Sequence, residues 1–394
     1  MEKIKLGDLC NPCQGQIKVQ PGTIIDYIDI SSIDNNSKTV SGYQTMTFAE
    51  APSRARKAVK KGNILVSTVR PNLNAVAIVE DATPNMTVAS TGFCVLDCKE
   101  NVDKRFVLNF CKSKAFIDEM VAQATGASYP AVSDKIVRAA LVPSYSFHDQ
   151  IKIGEILDKV SLIIAKRKSE LTYLDNLVKA RFVEVFGEPI ANPMKWPVKR
   201  LKELSTLITN GNTPKGGREN YVESGILFLR SQNVWRNRIE LDDVAFIDEA
   251  THKSMRKSSL RHKDILITKT GRINTENSSL GRAALFLGAD YSANINGHVY
   301  LVRLNGTIVP EFVVTILTGE AYRRYIRKVC VGGIDKRQIN VDQVEDFPII
   351  IPPYEQQKQF AAFVAQVDKS KAVMQKSLEE AQLLFDSLMQ QYFG

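Results

Sequence analysis

The chain has 394 residues, of which 44% are hydrophobic and 24% charged, with 52 Lys and Arg against 43 Asp and Glu for a net charge of +9. That length allows two or three domains that each bury a core, and the composition is that of an ordinary globular protein. No apolar run reaches the roughly 18 residues of a membrane span, and six cysteines in a chain this long are too few for a disulfide framework.

The opening MEKIKLGDLC lacks the apolar segment of a secretory signal, so a cytoplasmic protein with no membrane partner is expected. Its positive charge suits a polyanion, although no polybasic tail exists. Cys10 and Cys13, with Cys94 and Cys98, could supply four thiolates to a zinc ion. Further along, Arg54, Arg56, Lys57, Lys60 and Lys61 form a basic turn that leads into the alternating strand of KKGNILVSTVR. Arg70, Asn72 and Asn74 follow it, and Ser128 and Tyr129 sit in the Gly-led loop GASYPAVS.

A long helix is predicted next, over 147–187. Leu157, Ile164, Leu171, Val178 and Val185 recur every seven residues, and Ile153, Val160 and Leu174 supply a second seam, the pattern of a coiled coil. Arg167 and Arg181 interrupt the seams. The Pro- and Gly-rich GEPIANPMKWP then reads as a linker over 188–197.

The remainder repeats this plan. VKRLKEL matches KIKLGDL, RHKDILITKTGR matches KKGNILVSTVR, NINGHVYLVR matches ASTGFCVLDC, and GIDKRQINVDQVEDFPIIIP matches GASYPAVSDKIVRAALVP. The segment IPPYEQQKQF starts a second long helix over 354–394. Gln150 and Gln357 begin an ungapped alignment that ends at Gly187 and Gly394. Its seams are Val364, Leu378, Phe385 and Tyr392, and Phe360, Val367, Met374, Ala381 and Leu388, broken by Lys371. The predicted organisation is therefore α+β: globular domains over 1–146 and 198–353, each followed by a long helix, with the helices pairing as an antiparallel coiled coil about an internal pseudo-twofold repeat. Leu157, Ile164, Leu171, Leu174, Val178, Val364, Val367, Leu378, Phe385 and Leu388 are the residues expected to pair the helices or dock a partner.

The repeat also settles Pro352-Pro353-Tyr354. Such a tripeptide can belong to the active-site loop of an adenine methyltransferase, but here it stands where Pro143-Ser144-Tyr145 stands, at a helix start. Ile351 cannot accept a hydrogen bond from an adenine amino group. Cys10, Cys13, Cys94 and Cys98 correspond to Ser205, Ile208, Val299 and Arg303, so the fold does not require metal there. GNTPKGGRE lacks the Lys-Ser/Thr pair of a phosphate loop, no Glu-x-Lys nuclease signature occurs, and His148, His252, His262 and His298 form no ligand pattern. A non-catalytic role with no cofactor or metal in this chain is expected.

Lys253, Arg256, Lys257, Arg261 and Lys263 are the second half's basic turn. Lys and Arg neutralise phosphates without reading sequence; Arg reads guanine, and Asn or Gln reads adenine, through forked hydrogen bonds. Candidate DNA contacts in this half are Lys215, Arg230, Gln232, Asn233, Arg236, Arg238, Lys269, Arg272, Asn274, Lys336 and Arg337.

With its helix starts VPSYSFHDQ and IPPYEQQ and its strands GNILVSTVR and KDILITKTGR, the chain resembles, over essentially its whole length, the specificity subunit of a type I restriction-modification system. The resemblance implies two target-recognition domains that each read one half of an asymmetric bipartite site in double-stranded DNA. It implies helices that set the gap and dock two adenine-N6 methyltransferase subunits, to which restriction subunits can add. S-adenosylmethionine, ATP and magnesium would belong to those partners. The chain departs from the common pattern in starting almost directly at the first recognition domain, which leaves open whether the last helix closes against the start. A coiled-coil adaptor that reads no DNA is the alternative.

Overall fold

The computed structural model describes residues 2–394 apart from 14, 36, 82, 215 and 276. The chain forms two compact units, Met1–Ser169 with Gln375–Gly394, and Glu170–Met374. Two 40-residue helices, Phe147–Phe186 and Tyr354–Phe393, each run from one unit into the other. Among the described residues no helix is long and apolar enough to cross a membrane.

In the first unit the strand Ile64–Ser67 lies between Phe93–Leu96 and Val76–Ile78, antiparallel to both. Its residues are all buried, as an unbroken Ile-Leu-Val run requires. A second sheet holds Ile24–Ile28 parallel to Met86–Ser90, with Gln44–Thr47 and Ala55–Ala58 at its edges. Lys3–Lys5 pairs with Leu141–Pro143, which ties the start of the unit to the strand before the helix. Helices Lys104–Lys112 and Lys114–Gln123 cover the core.

The second unit repeats these parts. Ile265–Thr268 lies between Val299–Leu304 and Ala283–Leu285, Ile226–Leu229 runs parallel to Ala293–Ile295, and Val198–Arg200 pairs with Pro348–Ile350. Helices Pro310–Thr318 and Glu320–Val329 take the place of the earlier pair. The fold is thus α+β, with two like globular units and two long helices.

Each long helix starts on a buried glutamine. Gln150 accepts from the backbone N–H of Asp103 at 3.1 Å and donates to the carbonyl of Tyr145 at 3.0 Å. Gln357 does the same with Val309 and Pro352, at 3.0 and 2.8 Å. Asp103 and Val309 are the N-cap residues of Lys104–Lys112 and Pro310–Thr318. One amide therefore satisfies an orphan donor at a helix start and a carbonyl at the strand-to-helix turn. Gly154 follows one turn later because a Cβ there would stand 2.9 Å from Asp103 Oδ1.

Within each unit the start of one long helix packs antiparallel on the end of the other. In the first, Val160 and Ile164 bury against Ala381, with Leu378, Phe385 and Leu388 alongside, and Leu157 joins the core that holds Met389 and Phe393. In the second, Val178, Phe182 and Phe186 share a core with Phe360, Val364 and Val367, and Leu174 packs on it. Leu171, placed in the seam by its spacing, is half-buried and lies outside these clusters. The seam breaks have cross-helix partners: Arg167 Nε donates to Ser377 Oγ at 3.2 Å, and Lys371 Nζ to Asp175 at 2.6 Å.

The helix ends complete the globular cores. Phe393 lies 5.3 Å from Phe106 and 5.9 Å from Phe110 between ring centres, and Phe186 lies 4.9 Å from Phe312. The C-terminal helix therefore closes against the first unit, whose core also holds Leu6 and Leu9.

Phe393→Ala should cost about 3–5 kcal/mol, and hydrogen exchange should quicken in helices Lys104–Lys112 and Lys114–Gln123 while the Ile265–Thr268 strand stays protected. Equal loss everywhere would show that Phe393 does not serve the first unit's core.

Gln357→Met keeps most of the volume but orphans the Val309 N–H and the Pro352 carbonyl, a cost of about 1–3 kcal/mol. Gln150→Met should cost less in the same denaturant titration, because its two hydrogen bonds are only partly buried.

Candidate nucleic-acid interface

After its central strand, each unit brings two loops that are distant in sequence together. In the first, Val69 bridges to Ala131, which bridges to Thr125, and the Arg70 N–H donates to the Pro130 carbonyl at 2.7 Å. In the second this becomes a full three-stranded ribbon. Lys336–Gln338 lies between Thr270–Arg272 and Val331–Gly332, with Arg272 opposite Lys336. The turns need glycine: Gly126 has φ +103° and Gly332 has φ +128°, and a Cβ on Gly332 would meet the Lys336 carbonyl at 2.9 Å.

Several sequence candidates converge on these loops. The Arg70 guanidinium lies 4.8 Å over the ring of Tyr129, which is 68% exposed. Asn72, Ser128 and Leu73 are exposed beside them. Arg70 itself has φ +49°, a left-handed conformation that non-glycine residues rarely hold without a local reason. In the second unit Arg272, Asn274 and Lys336 are exposed on the ribbon, and Arg272 Nε is 3.3 Å from Asp335. Arg337 turns back, with Nη1 3.5 Å from the Cys330 carbonyl and Nε buried without a partner. Lys269 places Nζ 5.9 Å over the Tyr300 ring.

Other candidates serve the fold. Asn74 is buried and donates to the Cys111 carbonyl at 2.8 Å. Asn233 is buried, accepts from the Arg230 N–H and donates to the Glu240 and Asp243 carbonyls. The Arg230 side chain is only 11% exposed and grips Asp243 at 2.8 Å, and Gln232 bonds the same carboxylate. The hydrogen bond from Arg230, then that from Gln232, holds the Asp243 carboxyl below its ordinary range. Lys57 joins the Phe93 carbonyl to Asp134. Lys215 falls outside the described residues.

Most basic side chains here are already paired. Arg54 meets Asp29 at 2.5 Å and Tyr27 at 3.2 Å, Lys60 meets Asp97 at 3.1 Å, and Arg56 lies 4.9 Å over Phe48. Arg238 meets Glu240 at 2.7 Å, Lys263 meets Glu311 at 2.7 Å, and Arg261 lies 5.2 Å over Tyr291. Arg236 stands 3.6 Å from Glu320, which Arg323 also holds at 2.9 Å.

Two features escaped the sequence. Arg282 stacks on Trp235 at 3.7 Å, with Arg238 5.5 Å from the same ring. Burial first, then Arg236, lowers the Arg282 pKa. The other is Ile334, 90% exposed at the ribbon tip. Its place after two glycines in a Gly-led loop was the only available signal.

The four cysteines considered for zinc do not gather. Cys10 and Cys98 face each other across an isolated bridge, Cys13 is exposed, and all six thiols are free. Among the described residues no group of three or more His, Cys, Asp or Glu is placed to hold a metal.

Residues 193–383 match the family model described as type I restriction modification DNA specificity domain. The MjaIX specificity subunit of a type I restriction enzyme from Methanocaldococcus jannaschii is 22% identical over 370 residues, 88% of this chain and 80% of its own length. A second M. jannaschii relative is 23% identical over 202 residues, which is 51% of this chain and only 46% of that protein. The HindI specificity subunit of Haemophilus influenzae is 23% identical over 190 residues, 46% of this chain and 41% of its own. Among solved structures, a chain from work on assembly of the type I R-M system covers 100% of this one and 97% of itself, with TM-score 0.61 and 22% identity. The type I system S subunit from M. genitalium covers 100% and 96%, with TM-score 0.59 and 14% identity, a likeness of fold. The domain match makes residues 193–383 a type I restriction modification DNA specificity domain, and over most of its length the chain is similar to the specificity subunits of type I restriction enzymes.

Proposed function

We propose that this chain is the non-catalytic DNA-reading subunit of its complex, each unit reading one half of an asymmetric bipartite site through the paired loops after its central strand. The observation that carries this is the same loop pairing, built twice with different exposed residues. Arg70, Asn72, Ser128 and Tyr129 stand at one, and Arg272, Asn274 and Lys336 at the other. Forked and planar side chains on a fixed backbone are what base edges and phosphates require. Two like scaffolds with unlike tips suit two unlike half-sites.

The long helices would set the unread gap and dock two adenine-N6 methyltransferase subunits, with restriction subunits joining that assembly. Apolar residues outside the seam support this: Leu162, Ile163, Leu383 and Leu384 are exposed in the first unit, and Tyr173 and Val373 in the second. Exposed apolar side chains along a helix are the kind of surface a partner helix covers. S-adenosylmethionine, ATP and magnesium would be bound by those partners.

The test is methylation-sensitive sequencing of DNA from cells that express this chain with its methyltransferase. A bipartite adenine-methylation motif should appear, and should be absent without the chain. Arg70→Ala with Tyr129→Ala should relax one half of the motif, and Arg272→Ala with Asn274→Ala the other. An unchanged methylome with an assembled complex would favour the adaptor; unchanged half-sites in both variants would remove the loops from base reading.

Lys336→Ala should weaken binding to all sequences alike and flatten the slope of log K against log salt by about 1, as loss of one phosphate contact does. Titration of labelled duplex at several salt concentrations reads this directly. An unchanged slope would take Lys336 off the DNA backbone.

A further inference from the structure

Ile334 is the most exposed of the large apolar side chains in the chain's described residues, at 90%. It sits at the end of an ordered ribbon: Val331 pairs with Gln338, Gly332 with Arg337, and the Ile273 N–H donates to the Asp335 carbonyl at 2.9 Å. The backbone under the tip is therefore fixed, and the side chain has nowhere in its own unit to bury. An isoleucine this exposed on an ordered tip is free to bury its apolar surface against a group outside its own unit, and gains by doing so.

The surroundings say what that is. Arg272, Asn274 and Lys336 flank the tip and are exposed, and Asp335 holds Arg272 beside it at 3.3 Å. An apolar point ringed by two cations, one of them held by a carboxylate, and an amide does not match a lipid core or a hydrophobic protein groove. It does match the major groove of duplex DNA. That groove is about 12 Å wide and admits a two-stranded β-ribbon, its walls are phosphates, and its floor carries one apolar group, the C5-methyl of thymine.

We infer that Ile334 is a specificity-determining residue that packs on a thymine methyl in the half-site read by the second unit, with Lys336 on a flanking phosphate. This rests on the DNA-reading function proposed above and names one of the bases it reads. The matched tip of the first unit carries no isoleucine, and its exposed ring, Tyr129, is stacked under Arg70. The methyl contact belongs to one half-site.

The test uses the chain assembled with its methyltransferase subunits and duplexes that carry the mapped motif. Each thymine in turn is replaced by uracil, which removes only the methyl. Wild-type complex should lose about fourfold in affinity at one position, the worth of one buried methyl. Ile334→Ala should bind the thymine duplex more weakly by a similar factor and should no longer distinguish thymine from uracil there. Because the side chain is exposed, the variant's melting temperature should match the wild type. Affinity indifferent to uracil at every position, or a uracil penalty that survives in Ile334→Ala, overturns the inference while leaving sequence-selective binding intact. A wild-type complex that binds motif and scrambled duplexes alike defeats the DNA-reading function itself, and the inference with it.

Discussion

The structure depends on two buried amide groups. Gln150 and Gln357 each stand in the first turn of a long helix and join it to the N-terminus of another helix and to the strand end behind it. A buried amide with unmet hydrogen bonds is costly, so the geometry in which both ends are met is strongly favoured over its neighbours. That fixes where each long helix leaves its globular unit. Phe186 and Phe393 must then arrive in cores that already hold Phe312 and Phe106. A clamp at one end and an aromatic socket at the other make each unit incomplete without the end of the opposite helix.

This explains which parts of the fold were legible in the sequence. The repeat, the long helices and the central strands could be read because they rest on patterns: heptad spacing, unbroken β-branched runs, and a Gln at the same place after Pro and Tyr. The Gln was visible as a mark of resemblance, but its reason, two backbone partners satisfied by one side chain, needs coordinates. Leu171 shows the limit of spacing, since it holds a heptad position yet lies outside the apolar clusters. Arg167 and Lys371 looked like flaws in the seam, and each instead reaches a polar partner on the facing helix. The candidate site was legible in part. Sequence matching put the loops around Arg70 and Ser128 in correspondence with those around Arg272 and Lys336, but not in contact. It also could not separate Asn72 from Asn74, two residues apart, one exposed and the other bound to a buried carbonyl.

The pairing of basic residues changes what the net charge of +9 means. Arg54, Lys57, Lys60, Arg230, Arg238 and Lys263 each hold an acidic partner in the free chain. A phosphate that recruits one of them must displace a carboxylate, so part of the Coulomb gain is cancelled and the released anion is the protein's own. Exposed pairs of this kind are individually weak, which keeps the exchange possible. In the proposed DNA-reading role, affinity would then depend less on bulk charge than on the cations with no acidic partner to displace.

Rigid scaffold and free tip are also different physical problems. Residues inside the units answer to packing and hydrogen-bond satisfaction, where a change of one methylene is felt. Residues at the tips, Ile334 and Tyr129 among them, are largely exposed, so packing within their own unit constrains their identity little. Both units build the paired loops with the same backbone pairings, Val132 N–H to the Thr68 carbonyl in one and Ile339 N–H to the Lys269 carbonyl in the other. With the ribbon held from beneath in this way, a substitution at its tip costs little in stability, as the proposed role of the tips in recognition would require. One fold used twice in a chain can therefore present two different surfaces to one ligand.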